Sequence, residues 1–200
     1  MLPGIVAASG RRTRLVYRGF DPQKAGAAAS IQNDGFDLFT ASSGTNRWAL
    51  SAASKTSGKF RAQLLAVNHA NTLGGGVAFN TNIGGFAGAT ANAAAFFGNY
   101  AANTRLYTNN AFSAFAGTIA TGDRIDIFVD ADAGRVWWGK NGTPIAGNPA
   151  AGTGAMYTYP PSTPVFLVGD TTGVNGRIRL RKGSEITDPL PSGFVNGWPG

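Results

Sequence analysis

Two hundred residues with 43% hydrophobic side chains suffice for one well-buried domain, while 14% charged residues and 29 glycines describe a turn-rich chain with a neutral, polar surface. A formal charge of +7, from 17 Lys and Arg against 10 Asp and Glu, favours acidic partners such as phosphate, acidic glycans or an acidic protein face. With no cysteine, a disulfide framework, a thiolate nucleophile and a cysteine-based zinc site are all excluded.

The opening "MLPGIVAASGRRTR" places its apolar residues before its basic ones, and Pro3 and Gly4 interrupt them, the wrong order and length for a signal peptide. No apolar run approaches the ~20 residues of a membrane helix. The expectation is a soluble protein made in a cytoplasm, with no membrane partner. Arg11, Arg12, Arg14 and Arg18 precede the first acid, Asp21, so residues 1–19 repel themselves and lack a core of their own. They read as a basic arm that orders on a partner, and residues 20–200 as the folded domain.

From Ser30 onward the punctuation is that of an all-β protein, short apolar-alternating runs broken by Gly, Asn, Asp and Pro. In "SIQNDGFDLFTA", Asn33, Asp34 and Gly35 tolerate positive φ and predict a turn between two short strands. "GKFRAQLLAV" puts Phe60, Ala62, Leu64 and Ala66 on one face and Arg61 and Gln63 on the other, a half-buried antiparallel strand. Residues 71–117 are biased toward Gly, Ala, Asn and Phe. Their aromatics, Phe79, Phe86, Phe96, Phe97, Tyr100, Tyr107, Phe112 and Phe115, recur regularly enough to predict strands and ordered loops rather than a linker. "GDRIDIFVD" sets Ile125, Ile127 and Val129 opposite Arg124, Asp126 and Asp130. "GRIRLR" sets Ile178 and Leu180 opposite Arg177, Arg179 and Arg181. Short strands without helical crossovers predict a two-sheet antiparallel β-sandwich of jelly-roll type.

Candidate chemistry is sparse. In "DADAGRVWWGKNG", residues 130–142, Asp130, Asp132 and Gly134 imitate the start of a calcium loop. Ala133 and the stretch from Lys140 to Gly142 supply neither the third ligand nor the closing carboxylate, so no metal is expected. Asp130 and Asp132 are expected to accept backbone hydrogen bonds in a hairpin turn. The one Glu, Glu185, stands away from any cluster, and Asp123, Asp126 and Asp130 read as structural, which disfavours a glycosidase pair. His69 is the one histidine, with no Gly-x-Ser-x-Gly elbow to accompany it, and Gly74-Gly75-Gly76 lacks the Lys-Ser/Thr of a phosphate loop. Arg177, Arg179 and Arg181 form a basic stripe with two readings, a solvated outer face or a partner-binding surface. No aromatics interleave with them, so a nucleic-acid platform is not expected.

The hairpin "GDRIDIFVDADAGRVWWGKNGTPI" resembles the late strand pair of SPRY domains, a branch of the concanavalin-like jelly rolls. Gly122-Asp123 opens an apolar strand, Asp130, Asp132 and Gly134 occupy the turn, and Val136 to Trp138 run into Lys140-Asn141-Gly142. "RWALSAASKTSGKFRAQL" is similar to the family's early tryptophan, Ser-Gly-Lys turn and following strand. "PVFLVGD", "GRIRL" and "PLPSGFVNGW" resemble its last strands and its Pro-x-Gly-Phe ending. The resemblance spans roughly residues 28–198 and departs from the family at Arg61 and Gln63, where bulky strand residues are usual, and in the Gly/Ala-rich centre.

That resemblance implies a binding module without catalysis or cofactor, engaging its ligand through loops at one end of the sandwich. The Pro-Gly opening, the low charge, the centre and the "PSGFVNGW" close are most similar to SPRY-like proteins of tailed bacteriophage particles. The expectation is a non-enzymatic structural component of the virion, made in the host cytoplasm and exposed on head, neck or tail. It would be a homo-oligomer there, bound to capsid, neck or tail subunits through the arm and the arginine stripe, with a host-surface glycan or protein as a further partner. One alternative is a carbohydrate-binding module in which Trp137, Tyr100 and Tyr107, with Arg135 nearby, contact sugar rings; another is an intracellular SPRY adaptor that captures a host peptide. Strand alternation predicts Trp138 in the core with Val136, and Trp137 exposed beside Arg135.

Overall fold

The computed structural model describes residues 18–41, 44, 47–100 and 103–198, without the side chains of residues 99 and 100. In chain order the strands are β1 (Phe20–Ala25), β2 (Ala29–Gln32), β3 (Asp37–Thr40), β4 (Trp48–Lys55), β5 (Lys59–Asn68), β6 (Leu73–Ala78), β7 (Ala93–Tyr100) and β8 (Asn103–Thr108). They continue with β9 (Ala111–Ala116), β10 (Arg124–Asp130), β11 (Arg135–Lys140), β12 (Thr143–Pro144), β13 (Tyr157–Thr158), β14 (Val165–Thr171), β15 (Arg177–Leu180) and β16 (Val195–Asn196). Two short 3-10 turns, Asn33–Gly35 and Gly183–Glu185, are the helical elements among the described residues.

The strands form two sheets packed face to face. A 7-stranded sheet runs β1-β4-β14-β6-β7-β8-β9, and a 9-stranded sheet runs β12-β11-β10-β5-β15-β3-β2, with β13 paired to β11 and β16 to β5. Every ladder is antiparallel except the one in which β16 lies parallel to β5. The three runs with the plainest alternation, β5, β10 and β15, lie side by side in the centre of the larger sheet. Their inward residues, Ala62, Leu64, Ala66, Ile125, Ile127, Val129, Ile178 and Leu180, meet Leu73, Val77, Phe96 and Leu167 of the smaller sheet in the main core. The turn read from Asn33-Asp34-Gly35 is present, with φ of 54°, 55° and 94° at the three residues.

Both sheets are also covered on their outer faces. The segment of residues 79–92 folds back over the smaller sheet, where Ile83 and Ala87 pack on Leu50, Ala95, Phe97 and Val168. The C-terminal segment folds over the larger sheet, where Phe194 packs on Phe128 and Trp137. Gly74-Gly75-Gly76 lies inside β6 between these layers, and its glycines serve close packing: a Cβ on Gly75 would stand 2.1 Å from Leu64 Cδ1, and one on Gly76 1.9 Å from the Ala94 carbonyl oxygen. The indole N–H of Trp138 donates to the Gly75 carbonyl at 2.9 Å across the core. Among the described residues no helix is long and apolar enough to cross a membrane.

Candidate functional site

The outward face of β5 differs from its sequence expectation. Arg61 and Gln63 are fully buried, because residues 186–198 lie over them. Arg61 Nε donates to Asn196 Oδ1 at 2.9 Å, Nη1 to the Pro189 carbonyl at 2.8 Å and Nη2 to the Asp188 carbonyl at 2.9 Å. Gln63 Nε2 donates to Asp126 Oδ1 and to Asp188 Oδ2, both at 2.8 Å, and Gly142 N–H donates to Asp126 Oδ2 at 2.7 Å. Arg124 closes the circuit with a 3.0 Å ion pair to Asp188. Burial pushes the Asp126 carboxyl up, while the Gln63 hydrogen bond and the nearby arginines hold Asp188 below the ordinary carboxylate range. The arrangement has the donors and acceptors of a catalytic cluster, but they are directed at one another and at backbone carbonyls, which is the chemistry of a clasp.

Trp137 requires a correction. Its expected exposure beside Arg135 is overturned: the ring is completely buried under Phe194, 6.5 Å away between centroids, and its N–H donates to the Thr153 carbonyl at 2.9 Å. A ring covered in this way has no face open to a sugar. Arg135 is exposed and its Nη1 donates to the Gly152 carbonyl at 2.6 Å. The turn aspartates behave as read: Asp130 Oδ1 accepts from Ala133 N–H and Asp132 Oδ1 from Gly58 N–H. Asp130 also pairs with Lys59 at 3.1 Å.

The arginine stripe is engaged within the protein. Arg177 and Arg179 converge on the fully buried carboxylate of Asp37 on β3, Arg179 Nε reaching Asp37 Oδ1 at 2.7 Å. Arg181 hydrogen-bonds Gln63 and the Glu185 carbonyl. Burial raises Asp37, but the hydrogen bonds from Arg179 and Arg177 outweigh it and leave the carboxyl below its ordinary value. Arg179 and Lys182 line a cleft of about 180 Å³ together with Asp34 and Glu185, so the lining is of mixed sign rather than phosphate-selective. Arg18 is exposed; Arg11, Arg12 and Arg14 lie outside the described residues, as does the side chain of Tyr100. His69 is half-buried past the end of β5, and burial lowers its ring pKa.

Among the described residues, an open aromatic feature is the rim of the smaller sheet formed by β8 and β9. Asn109 and Asn110 join the two strands with φ of 49° and 61°, the left-handed pair that a two-residue hairpin needs. In the resulting register Tyr107 faces Phe112 and Arg105 faces Ala114, so these four share the outer face. Tyr107 packs edge-on against Phe86 at 5.3 Å and Phe97 at 5.9 Å, and meets Phe112 at 5.5 Å. Phe112 ends this aromatic row with half its surface (50%) exposed. The Arg105 guanidinium stands 4.1 Å from its ring centroid and donates to the Tyr107 hydroxyl at 3.2 Å. Such a surface offers a flat apolar area, one cation and a strand edge unpaired among the described residues, which suits a protein partner better than a small polar ligand. Tyr107 is among the contact residues expected from the sequence, but neither Phe112 nor Arg105 is; the uncharged run "AFSAFA" is the signal that marks Phe112, and Arg105 is brought beside it by the hairpin register.

No protein-family model and no curated protein matches the sequence. Solved structures do. The SPRY domain of human HERC1 is 21% identical, with a TM-score of 0.62, over 81% of this chain and 96% of that one. The TRIM65 PSpry domain is 12% identical, with a TM-score of 0.57, over 83% of this chain and 92% of that one. Stonustoxin is 16% identical, with a TM-score of 0.56, over 83% of this chain but 27% of that one. At these identities the likeness shows the fold: an all-β, two-sheet antiparallel sandwich with the SPRY architecture.

Proposed function

We propose that this SPRY-fold chain is a non-enzymatic binding module serving as a structural component of a bacteriophage particle. It is exposed on the head, neck or tail, where it holds neighbouring subunits and reaches toward the host surface. The observation that carries this reading is the β8–β9 rim. Segments of the chain cover both sheet faces elsewhere, and the polar clusters under those covers are directed inward, whereas among the described residues Phe112 and the edge of β9 stay open. The similarity of the opening, the Gly/Ala/Asn-rich centre and the "PSGFVNGW" close to SPRY-like proteins of phage particles supports the virion setting. The sugar-stacking alternative is weakened by the burial of Trp137.

Mass spectrometry of gradient-purified particles tests the proposal. Peptides of this chain at a fixed ratio to the major capsid subunit are expected, and their absence overturns it.

A further inference from the structure

The edges of the two sheets are not equally protected. β1 carries Asp21, Pro22 and Lys24; β12 is two residues long and contains Pro144; β2 has four residues. Charge, proline and shortness are the usual guards against edge-to-edge pairing. β9 has none of them: it spans six residues, AFSAFA, five of them exposed. Residues 106–122 contain no charged side chain, in a chain whose formal charge is +7. Two such chains carry like net charge, and this uncharged stretch is where copies can approach.

The strand is also self-complementary. The two-residue turn makes Thr108 and Ala111 the closing hydrogen-bonded pair, so alternation directs the N–H and C=O groups of Phe112, Ala114 and Ala116 toward the free edge. We propose that this edge pairs with the same strand of a second copy, antiparallel about a two-fold axis normal to the sheet, with Ser113 opposite the partner's Ser113. In that register Phe112 lies opposite the partner's Ala114 and Ala111 opposite the partner's Phe115, so each aromatic ring meets a methyl group on both faces. The two Phe112 rings become diagonal neighbours, about 7–8 Å apart at the backbone, and cover each other's exposed side. The two Arg105 side chains, three strand spacings or ~14 Å apart, lie beyond the physiological screening length of about 8 Å. The symmetry is closed, so pairing stops at two copies.

This pairing deepens the assembly role proposed above, and rests on it only in treating the rim as a contact surface. The absence of cysteine permits a direct test. Ser113→Cys places two thiols on the axis, at the closely spaced, non-hydrogen-bonded position, within the range a disulfide spans. Under mild oxidation Ser113→Cys is expected to give a covalent dimer, while Ala150→Cys, in an exposed loop, stays monomeric. Ser113→Lys, with like charges directly opposed, is expected to weaken dimerisation by about tenfold or more in sedimentation equilibrium, with an unchanged circular dichroism spectrum. Failure of a folded Ser113→Cys variant to cross-link, or equal cross-linking of both cysteine variants, overturns the inference. A chain that cross-links but is absent from particles leaves the pairing standing and removes the virion role; a chain present in particles that does not cross-link does the reverse.

Discussion

Arg61 and Asn196 are 135 residues apart in sequence and joined by a 2.9 Å hydrogen bond beneath the closing segment of the chain. Asn196 N–H2 in turn donates to the Ile186 carbonyl, and Gly197 N–H to the Arg61 carbonyl, so the side chain and backbone of Arg61 both hold the C-terminal segment on the larger sheet. Arg61→Ala leaves Asp126 buried and the Asp188, Pro189 and Asn196 acceptors unpaired. The expected cost is about 3–5 kcal/mol, or a midpoint lower by ~10 °C in thermal unfolding. Arg61→Lys is expected to recover little, since one ammonium cannot serve three divergent acceptors in the plane of a guanidinium. Near-wild-type stability of Arg61→Ala would show that the clasp is incidental.

Trp137 and Phe194 form the apolar half of the same closure. Trp137→Ala is expected to lower stability by about 3–5 kcal/mol, as removal of a fully buried aromatic ring does. Because the ring is sealed, its fluorescence in a variant retaining Trp137 alone should resist acrylamide quenching. Easy quenching in the folded state would contradict the burial and reopen a contact role.

Asp170, at the end of β14, is fully buried; Ala87 N–H donates to its Oδ2 at 2.8 Å, and its Oδ1 has no hydrogen-bond partner among the described residues. Burial raises this carboxyl from 3.8 to about 6, against the opposing pull of the Ala87 hydrogen bond and the Arg47 charge. The folded chain therefore holds a proton between those two values that the unfolded chain has released. The stability this contributes is complete below pH ~4 and is lost as pH rises through about 6, a change of about 3 kcal/mol. Asp170→Asn should flatten the fall in urea midpoint between pH 4 and 6.5 and stabilise the protein at pH 7. An unchanged profile would show that the carboxyl titrates normally.

Asp37 works in the opposite sense. Its carboxyl lies below the ordinary 3.8 because Arg179 and Arg177 outweigh its burial, so its contribution is present above pH ~4 and lost as pH falls through the lowered value. Asp37→Ala should cost about 1–3 kcal/mol at pH 7, the low end for a buried carboxylate, because both arginines are about a third exposed and can be rehydrated. The loss should shrink as pH falls below ~4 and through that lowered value. A cost that persists there would mean that packing, not charge, is what Asp37 supplies.

Local alternation identified β5, β10 and β15 and the face each turns to the core, because period-two burial is a short-range property of the chain. Whether the opposite face meets water is decided elsewhere. Alternation puts Trp137 and Arg61 on the correct face but not in their buried surroundings, since the segment that covers them comes from residues 186–198, outside any local window. The arginine stripe has the same history: its acid, Asp37, lies 140 residues from Arg177 and is supplied by a neighbouring strand. The departures from the family pattern at Arg61 and Gln63 were visible as anomalies, and the clasp is their physical reason. The rim was legible in part, through Tyr107 and the aromatic spacing. Its exposure depends on β9 being last in the sheet order, which strand periodicity does not encode.

Assembly through the β8–β9 rim requires that this surface be covered when the chain is assembled. Hydrogen–deuterium exchange, measured on the dilute free chain and on the chain within purified particles, reads this at the level of peptides. Protection gained across residues 103–118, centred on 111–116, is expected. Unchanged exchange there, with protection gained instead around the turn at residues 33–36 and the cleft at residues 177–185, would contradict assembly through this rim.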